Sequence, residues 1–387
     1  MKLKSTIGYV FVLVLALFIG QALSDQLSSS PELPPVLVHT GSDGHAAFDD
    51  RDLQYPGQAG QPAISYKIMR LLLPSDTDMA SVNVSVTAYD SEPLPGQWNV
   101  RPIEPPAVWD GTKHVIEWPA GRRIVDGKDM EIYSNDQKFP ASCIGDIVTG
   151  TIRHWKLVEV PVALFQYNPV AKTLFRLTTI ELVASFDRRT SAADQVLPSS
   201  IHHSASAKRA RKLTLNYDDI VPRDPLYSLR PSAIAAAEPT YAIITTNAIV
   251  DESSELVNFI HHKEQRGFTV QVVTEDAWGG GVGDAAAENI RSWLKTNYQS
   301  LNIEYVLLIG NPHFTAGDVP MKMLWPRLNH GSYRESPSDY YYTDLTGNWD
   351  ADGDGFFGEW GDDFGANGVD RHWEVRVGRI PYYGHIE

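Results

Sequence analysis

The chain has 387 residues, 43% of them hydrophobic and 21% charged, with 33 Lys+Arg against 48 Asp+Glu and a formal charge of −15. That balance disfavours nucleic acid as a partner, because phosphate binding needs a basic face. The one cysteine, Cys143, excludes an internal disulfide framework and a zinc site built from several thiolates, so any cysteine chemistry within the chain falls on it.

Length alone suggests two or three domains, at about 150 residues each. The first segment reads as an address. Lys2 and Lys4 precede an unbroken apolar run from Val10 to Ile19, followed by Gly20 and Ala22-Leu23-Ser24. A basic start, a short apolar core and small residues predict a signal peptide over 1–24. The run is short for a membrane span, which needs about 20 apolar residues. No later stretch is apolar enough to span, so the mature chain is expected to be secreted or at the cell surface.

After an N-terminal extension at 25–64, residues 65–187 show apolar alternation. Val82, Val84 and Val86 share one face and Asn83, Ser85 and Thr87 the other, the period of a half-buried strand. Thr151 to Gln166 and Thr173 to Phe186 are longer β-rich runs, and Asn168-Pro169 between them predicts an antiparallel hairpin. The region reads as an all-β sandwich. Residues 188–239 are rich in Ser, Ala and Pro and read as a linker. Its basic cluster, Lys208 to Lys212, is either a processing site or a solvated charge run.

From residue 240 strands and helices alternate. Tyr241 to Thr246, Phe268 to Val273 and Tyr305 to Ile309 predict strands, and Glu374 to Ile380 a fourth. Ser253 or Ser254 is expected to cap a helix through Leu256 and Phe259 that closes at Gly267. Asp284 is expected to cap another, carrying Ile290, Trp293, Leu294 and Tyr298. This alternation predicts a parallel sheet with helices on both faces.

The strongest local signal is Asp350-Ala351-Asp352-Gly353-Asp354-Gly355. Carboxylates at alternate positions in a glycine-containing loop aim several oxygens at one hard cation. Phe356 can add its backbone carbonyl. The twelfth position is Gly361, not the Glu of an EF-hand, so Glu359, Asp362 or Asp363 is expected to supply the missing ligand. Calcium is the cation this donor set suits, and without it the crowded carboxylates would repel one another. Gly279 to Gly283 lacks the spacing of a nucleotide loop and reads as a flexible connection. The pairs His202-His203 and His261-His262 diverge from one another and read as surface histidines. Cys143 reads as a small buried thiol, not a nucleophile.

Taken in order, several blocks resemble the gingipain-like cysteine peptidases, peptidase family C25. They are Tyr241 to Thr246, Lys263 to Val273, Ile290 to Lys295, Tyr305 to Gly310, Ser338 to Tyr342 with the acidic loop, and Val377-Gly378-Arg379-Ile380-Pro381. They cover roughly 240–387, while Val160-Pro161-Val162 and Tyr167-Asn168-Pro169 resemble the propeptide domain of such enzymes. The resemblance implies a caspase-like α/β fold, calcium sites, protein or peptide substrates, and a His–Cys dyad on later strands. That dyad lies downstream of the Gly-Arg-Ile-Pro block in the family, and no cysteine follows Cys143. His385 stands too close to the block to take the role, so no catalytic residue is assigned. The expectation is a fragment, inactive alone, of an exported, calcium-stabilised cysteine endopeptidase made as a zymogen, with residues 240–387 the N-terminal part of its peptidase domain. The alternative is a non-catalytic calcium-binding exported or surface module on the same fold.

Overall fold

The computed structural model describes residues 25–49, 53–55, 57–105, 107–109, 114–116, 118–189, 204–228, 239–326, 335–359, 362–364, 368–370 and 372–383. The signal peptide reading at 1–24 and the pair His202-His203 lie outside the described residues.

The first region is built on two antiparallel sheets. Strands β1 (Asp25–Ser29), β2 (Tyr66–Leu72), β3 (Asn83–Pro93), β4 (Val148–Ile152), β5 (Trp155–Ala163), β6 (Phe165–Asn168) and β7 (Thr173–Phe186) supply them. In one sheet β7 pairs with β1, β3 and β6; in the other β5 lies between β4 and β2. Val82, Val84, Leu182 and Ala184 from the first sheet meet Met69, Leu71, Val158, Val160 and Val162 from the second in one core. The alternation over residues 82–87 thus turns its valines inward and leaves Asn83 and Ser85 exposed. One turn of helix, Met130–Tyr133, interrupts the strands.

Two expectations for this region change. The run at 151–166 is not one arm of a hairpin. It spans β4, a two-residue turn at Arg153-His154, β5 and β6, and only β6 pairs with β7 across the Asn168–Thr173 turn. The chain changes sheets at Leu164, a buried residue with no turn chemistry to announce it. Part of the stretch read as linker is also folded: α1 (Ser204–Leu213) and α2 (Tyr217–Ile220) cover the outer face of β5. Trp155, Leu157, Ile152 and Leu72 point that way and need a partner, and Ala207, Ala210, Leu213 and Tyr227 provide it.

The second region carries β8 (Thr240–Ile244), α3 (Asn247–Glu252), α4 (Leu256–Glu264), β9 (Thr269–Val273), α5 (Glu275–Trp278), α6 (Gly283–Asn297), β10 (Ile303–Gly310) and β11 (Arg376–Pro381). The sheet order is β9-β8-β10-β11 and every pair is parallel. Val306 and Leu308 of β10 face Ala286, Ala287, Ile290 and Leu294 of α6, while Leu307 and Ile309 face Leu256 and Phe259 of α4. Burial on both faces is why β10 reads as a continuous apolar run.

Local details depart from the sequence reading. A short helix, α3, precedes α4 and is capped by Thr246, whose hydroxyl accepts from the Ile249 N–H. Ser253 does accept the Leu256 N–H at 3.2 Å. Asp284 falls inside the first turn of α6, where it lies 3.3 Å from Lys322, so it is not the cap. Gly279, Gly280, Gly281 and Gly283 all take positive φ, and a Cβ on Gly283 would stand 2.5 Å from the Thr315 carbonyl oxygen. The glycines therefore serve a specific reversal between α5 and α6.

Candidate metal loop and the contact between the two regions

The acidic loop follows an aromatic platform. Tyr341 on the α6 face is met edge-on by Trp349 and Phe357, which fixes both ends of residues 350–356. Within the loop Gly353 and Gly355 take φ of 80° and 87°. Those reversals let successive Asp side chains fold back on the backbone. Asp352 accepts from the Asp354 N–H, Asp354 from the Phe356 N–H, and Asp350 from the Gly355 N–H.

Two groups of carboxylates result, each with its oxygens within 4.8 Å of one another: Asp350, Asp352 and Asp363, and Asp352, Asp354 and Glu359. Asp352 belongs to both. Of the three candidates for the missing ligand, the structure brings in Glu359 and Asp363, both buried, and leaves Asp362 exposed and in neither group. Phe356 places its ring edge-on against Trp325, 4.7 Å away. Asp363 accepts N–H groups from Ala351, Gly358 and Glu359 at 2.5–2.9 Å, which fixes its position. Burial pushes its carboxyl up, the N–H donors pull it down, and Asp352 pushes it up again. An all-oxygen set on a glycine-turned loop, with Glu359 and Asp363 buried, Asp350 half-buried and Asp352 and Asp354 exposed, has the chemistry of a hard-cation site.

Two blocks quoted for the family resemblance meet at the sheet. Arg379 of β11 grips Asp339 at 2.7 and 2.8 Å, and also donates to the Val319 and Pro320 carbonyls. A cavity of about 370 Å³ opens at the C-terminal ends of β10 and β11, lined by Ile249, Leu256, Phe259, Ile309 and Tyr382. It sits beside the β8–β10 neighbourhood, where the strand order reverses and open α/β sheets place their ligands.

At the opposite, N-terminal end of the sheet, the two regions touch through buried charge. Arg153 reaches from the β4–β5 turn to donate to the Ile303 carbonyl at 2.7 Å and to those of Glu374 and Tyr298 at 3.3 Å. The Thr151 N–H donates to Asp370 at 3.0 Å and its hydroxyl to Glu374 at 3.2 Å. Glu159 of β5 lies 2.6 Å from Arg70 and 3.4 Å from His372. Burial alone would raise Glu159, but His372 and Arg70 outweigh it and hold its carboxyl down at about 2. Arg209 of α1 stacks over Trp373 at 3.8 Å. The basic cluster is thus partly a packing face. Behind these groups stand Asp344, Asp370 and Glu374. Burial, with Asp344 as a like charge, pushes Glu374 up to about 8, and burial with Asp344 and Glu374 raises Asp370 strongly. None of these acids stands out in the sequence, because their partners lie up to 223 residues away.

Cys143 is buried among the strands, and burial pushes its thiol up to about 11. A thiol that stays protonated is a poor nucleophile. His261 and His262 lie exposed on α4, His261 against Glu264 at 3.2 Å. No helix among the described residues is long and apolar enough to cross a membrane.

Residues 234–384 match the family model described as Peptidase family C25, and residues 57–219 match Propeptide_C25. Among solved structures the chain is similar to the "Complex of Porphyromonas gingivalis RgpB pro- and mature domains", at 15% identity and a TM-score of 0.32, over 50% of this chain and 93% of that one. It is also similar to the structure titled "Structural insight into zymogenic latency of gingipain K from Porphyromonas gingivalis", at 16% identity and a TM-score of 0.31, over 44% and 90%. No curated protein matches the chain. The chain carries a family C25 peptidase segment behind a C25 propeptide segment.

Proposed function

We propose that this chain is the export signal (1–24), N-terminal extension (25–64), β-sandwich pro-segment (65–187), linker (188–239) and first part of the peptidase domain (240–387) of a secreted or surface cysteine endopeptidase made as a zymogen. Its substrates are proteins or peptides, and its peptidase sheet is of the caspase-like kind. One observation carries the reading: the propeptide match and the peptidase match follow one another in the chain and are packed together through Arg153, Thr151 and Glu159.

Cleavage requires a thiolate, and the one thiol here is buried in the pro-segment and held protonated. The nucleophile and its histidine base are therefore assigned to sequence outside these 387 residues, and this chain is expected to be inactive. The check is a peptide-hydrolysis assay on the chain and on its Cys143→Ala variant, with no turnover expected from either. Turnover that survives Cys143→Ala would overturn the assignment of the nucleophile.

Calcium is the cation proposed for the acidic loop, held by Asp350, Asp352, Asp354, Glu359 and Asp363, with the Phe356 carbonyl as a further oxygen within the same loop. When bound, the ion would neutralise the crowded carboxylates and tie residues 350–363 together. An ion present at about 100 times its Kd stabilises the folded state by about 2.7 kcal/mol. Chelation is therefore expected to lower the thermal midpoint of the α/β region by several degrees, with readdition of calcium restoring it. A midpoint indifferent to chelator would sink the calcium proposal. A second reading, a non-catalytic calcium-binding exported module, draws on the same buried Cys143. A downstream histidine and cysteine in the gene would decide against it.

A further inference from the structure

We infer that the Arg153 turn, with the cleared Gly150 beside it, is the anchor by which the pro-segment docks on the N-terminal ends of the peptidase strands. The word pro-segment rests on the function proposed above; the contact does not.

The turn itself points to this role. Ile152 pairs with Trp155, so only Arg153 and His154 connect β4 to β5, and Arg153 takes a φ of 59°. Such tight turns favour Asn and Gly at positive φ, and a long side chain there is disfavoured unless something else requires it. Arg153 nevertheless remains 6% exposed, because its guanidinium lies wholly within the other region. There it donates to three main-chain carbonyls and lies 5.5 Å over the Tyr298 ring. Tyr298 follows α6, Ile303 opens β10 and Glu374 precedes β11, so one side chain ties three separate segments of the peptidase region.

The strand beside it has been cleared for the approach. Gly150 in β4 has ordinary backbone angles, yet a Cβ there would stand 2.6 Å from Asp370 Oδ2 and 2.8 Å from its Cγ, and the nearest atoms it would meet all belong to Asp370. Only across the contact does the missing side chain matter. The neighbouring Thr151 N–H then donates to the same carboxyl oxygen. The C-terminal strand ends, with the cavity beside them, are left clear by this anchor. Arg153 is thus a positioning residue for the pro-segment, remote from the end where α/β sheets place chemistry.

The test uses the full chain with a site-specific protease sequence placed within residues 229–238 and cut after folding. The two pieces of the parent are expected to co-elute on gel filtration and to separate only on strong dilution. Arg153→Ala is expected to raise the Kd between the pieces at least tenfold. Gly150→Ala removes nothing from the pro-segment, so it guards against a variant that simply misfolds, and it is expected to raise the Kd by a similar factor. Circular dichroism of the uncut variants monitors folding. A Kd unchanged from the parent in either folded variant overturns the anchor. Peptide hydrolysis is not read, so the peptidase assignment can fail without touching this result, and the reverse.

Discussion

Glu374→Gln is expected to yield a chain whose stability falls much less as pH rises from about 5 to about 8. Glu374 is buried between the two regions, where its carboxyl accepts from the Leu345 N–H at 2.8 Å and the Thr151 hydroxyl at 3.2 Å. Burial and the neighbouring Asp344 raise it from 4.5 to about 8. A carboxyl raised on folding contributes stability that is complete below its unfolded pKa and is lost as pH rises through the folded value. At pH 5 the folded chain keeps the proton and the unfolded chain gives it up, so the loss runs across this whole window. Each tenfold change in acidity between the two states corresponds to about 1.36 kcal/mol, so the loss is on the order of 4 kcal/mol. Asp370 moves in the same direction, through burial first and then the neighbouring acids Asp344 and Glu374, so glutamine also removes one of those neighbours. Denaturant unfolding at pH 5 and pH 8.5 measures the difference. A variant that loses as much stability as the parent between those pH values would show that Glu374 is not the source.

Neighbouring positions in the chain differ in how much of this was readable. The sheet of the second region was legible because each strand is covered on both faces, so Tyr305 to Ile309 could only be a continuous apolar run. The acidic loop was legible because its geometry is local: alternate Asp residues and glycines make the turns that gather the oxygens. Choosing between Asp362 and Asp363 was beyond the sequence, since the decision comes from N–H donors at Ala351 and Gly358. Helix α1 was missed for a related reason. Its buried stripe is Ala207, Ala210 and Leu213, and alanines among Lys and Arg carry little hydrophobic signal until Trp155 is seen beneath them. Arg153 was the least legible of all. A basic residue in a tight turn reads as solvated, and only the carbonyls it reaches, 145 to 221 residues away, make it a buried donor.

Arg291→Ala is expected to cost the α/β region about 3–5 kcal/mol, the range for breaking a buried charged contact from one side. Arg291 stands on the inner face of α6, 7% exposed, one residue after Ile290. Its Nε donates to the Tyr341 carbonyl at 3.0 Å, and one Nη donates to those of Asp344 and Gly347 at 2.8 and 2.9 Å. The guanidinium also lies 4.7 Å over the Tyr341 ring. Alanine would leave the Tyr341 and Gly347 carbonyls without this donor, the Asp344 carbonyl with the Trp349 indole N–H alone at 3.4 Å, and the Asp344 carboxyl without the positive charge that pulls it down. Lysine should rescue little, because one ammonium cannot reproduce a planar fork that serves three acceptors. The thermal midpoint of the region should fall by about 10 °C, at about 2–4 °C per kcal/mol for a domain of about 150 residues. A loss below about 1 kcal/mol would mean that solvent replaces Arg291 at no cost, against the burial seen here. The segment it fixes, Tyr341 to Gly347, leads through Trp349 directly into Asp350. The chain that places the first carboxylate of the acidic loop is therefore held in part by this side chain, and any rise in midpoint on adding calcium should shrink together with the stability in Arg291→Ala.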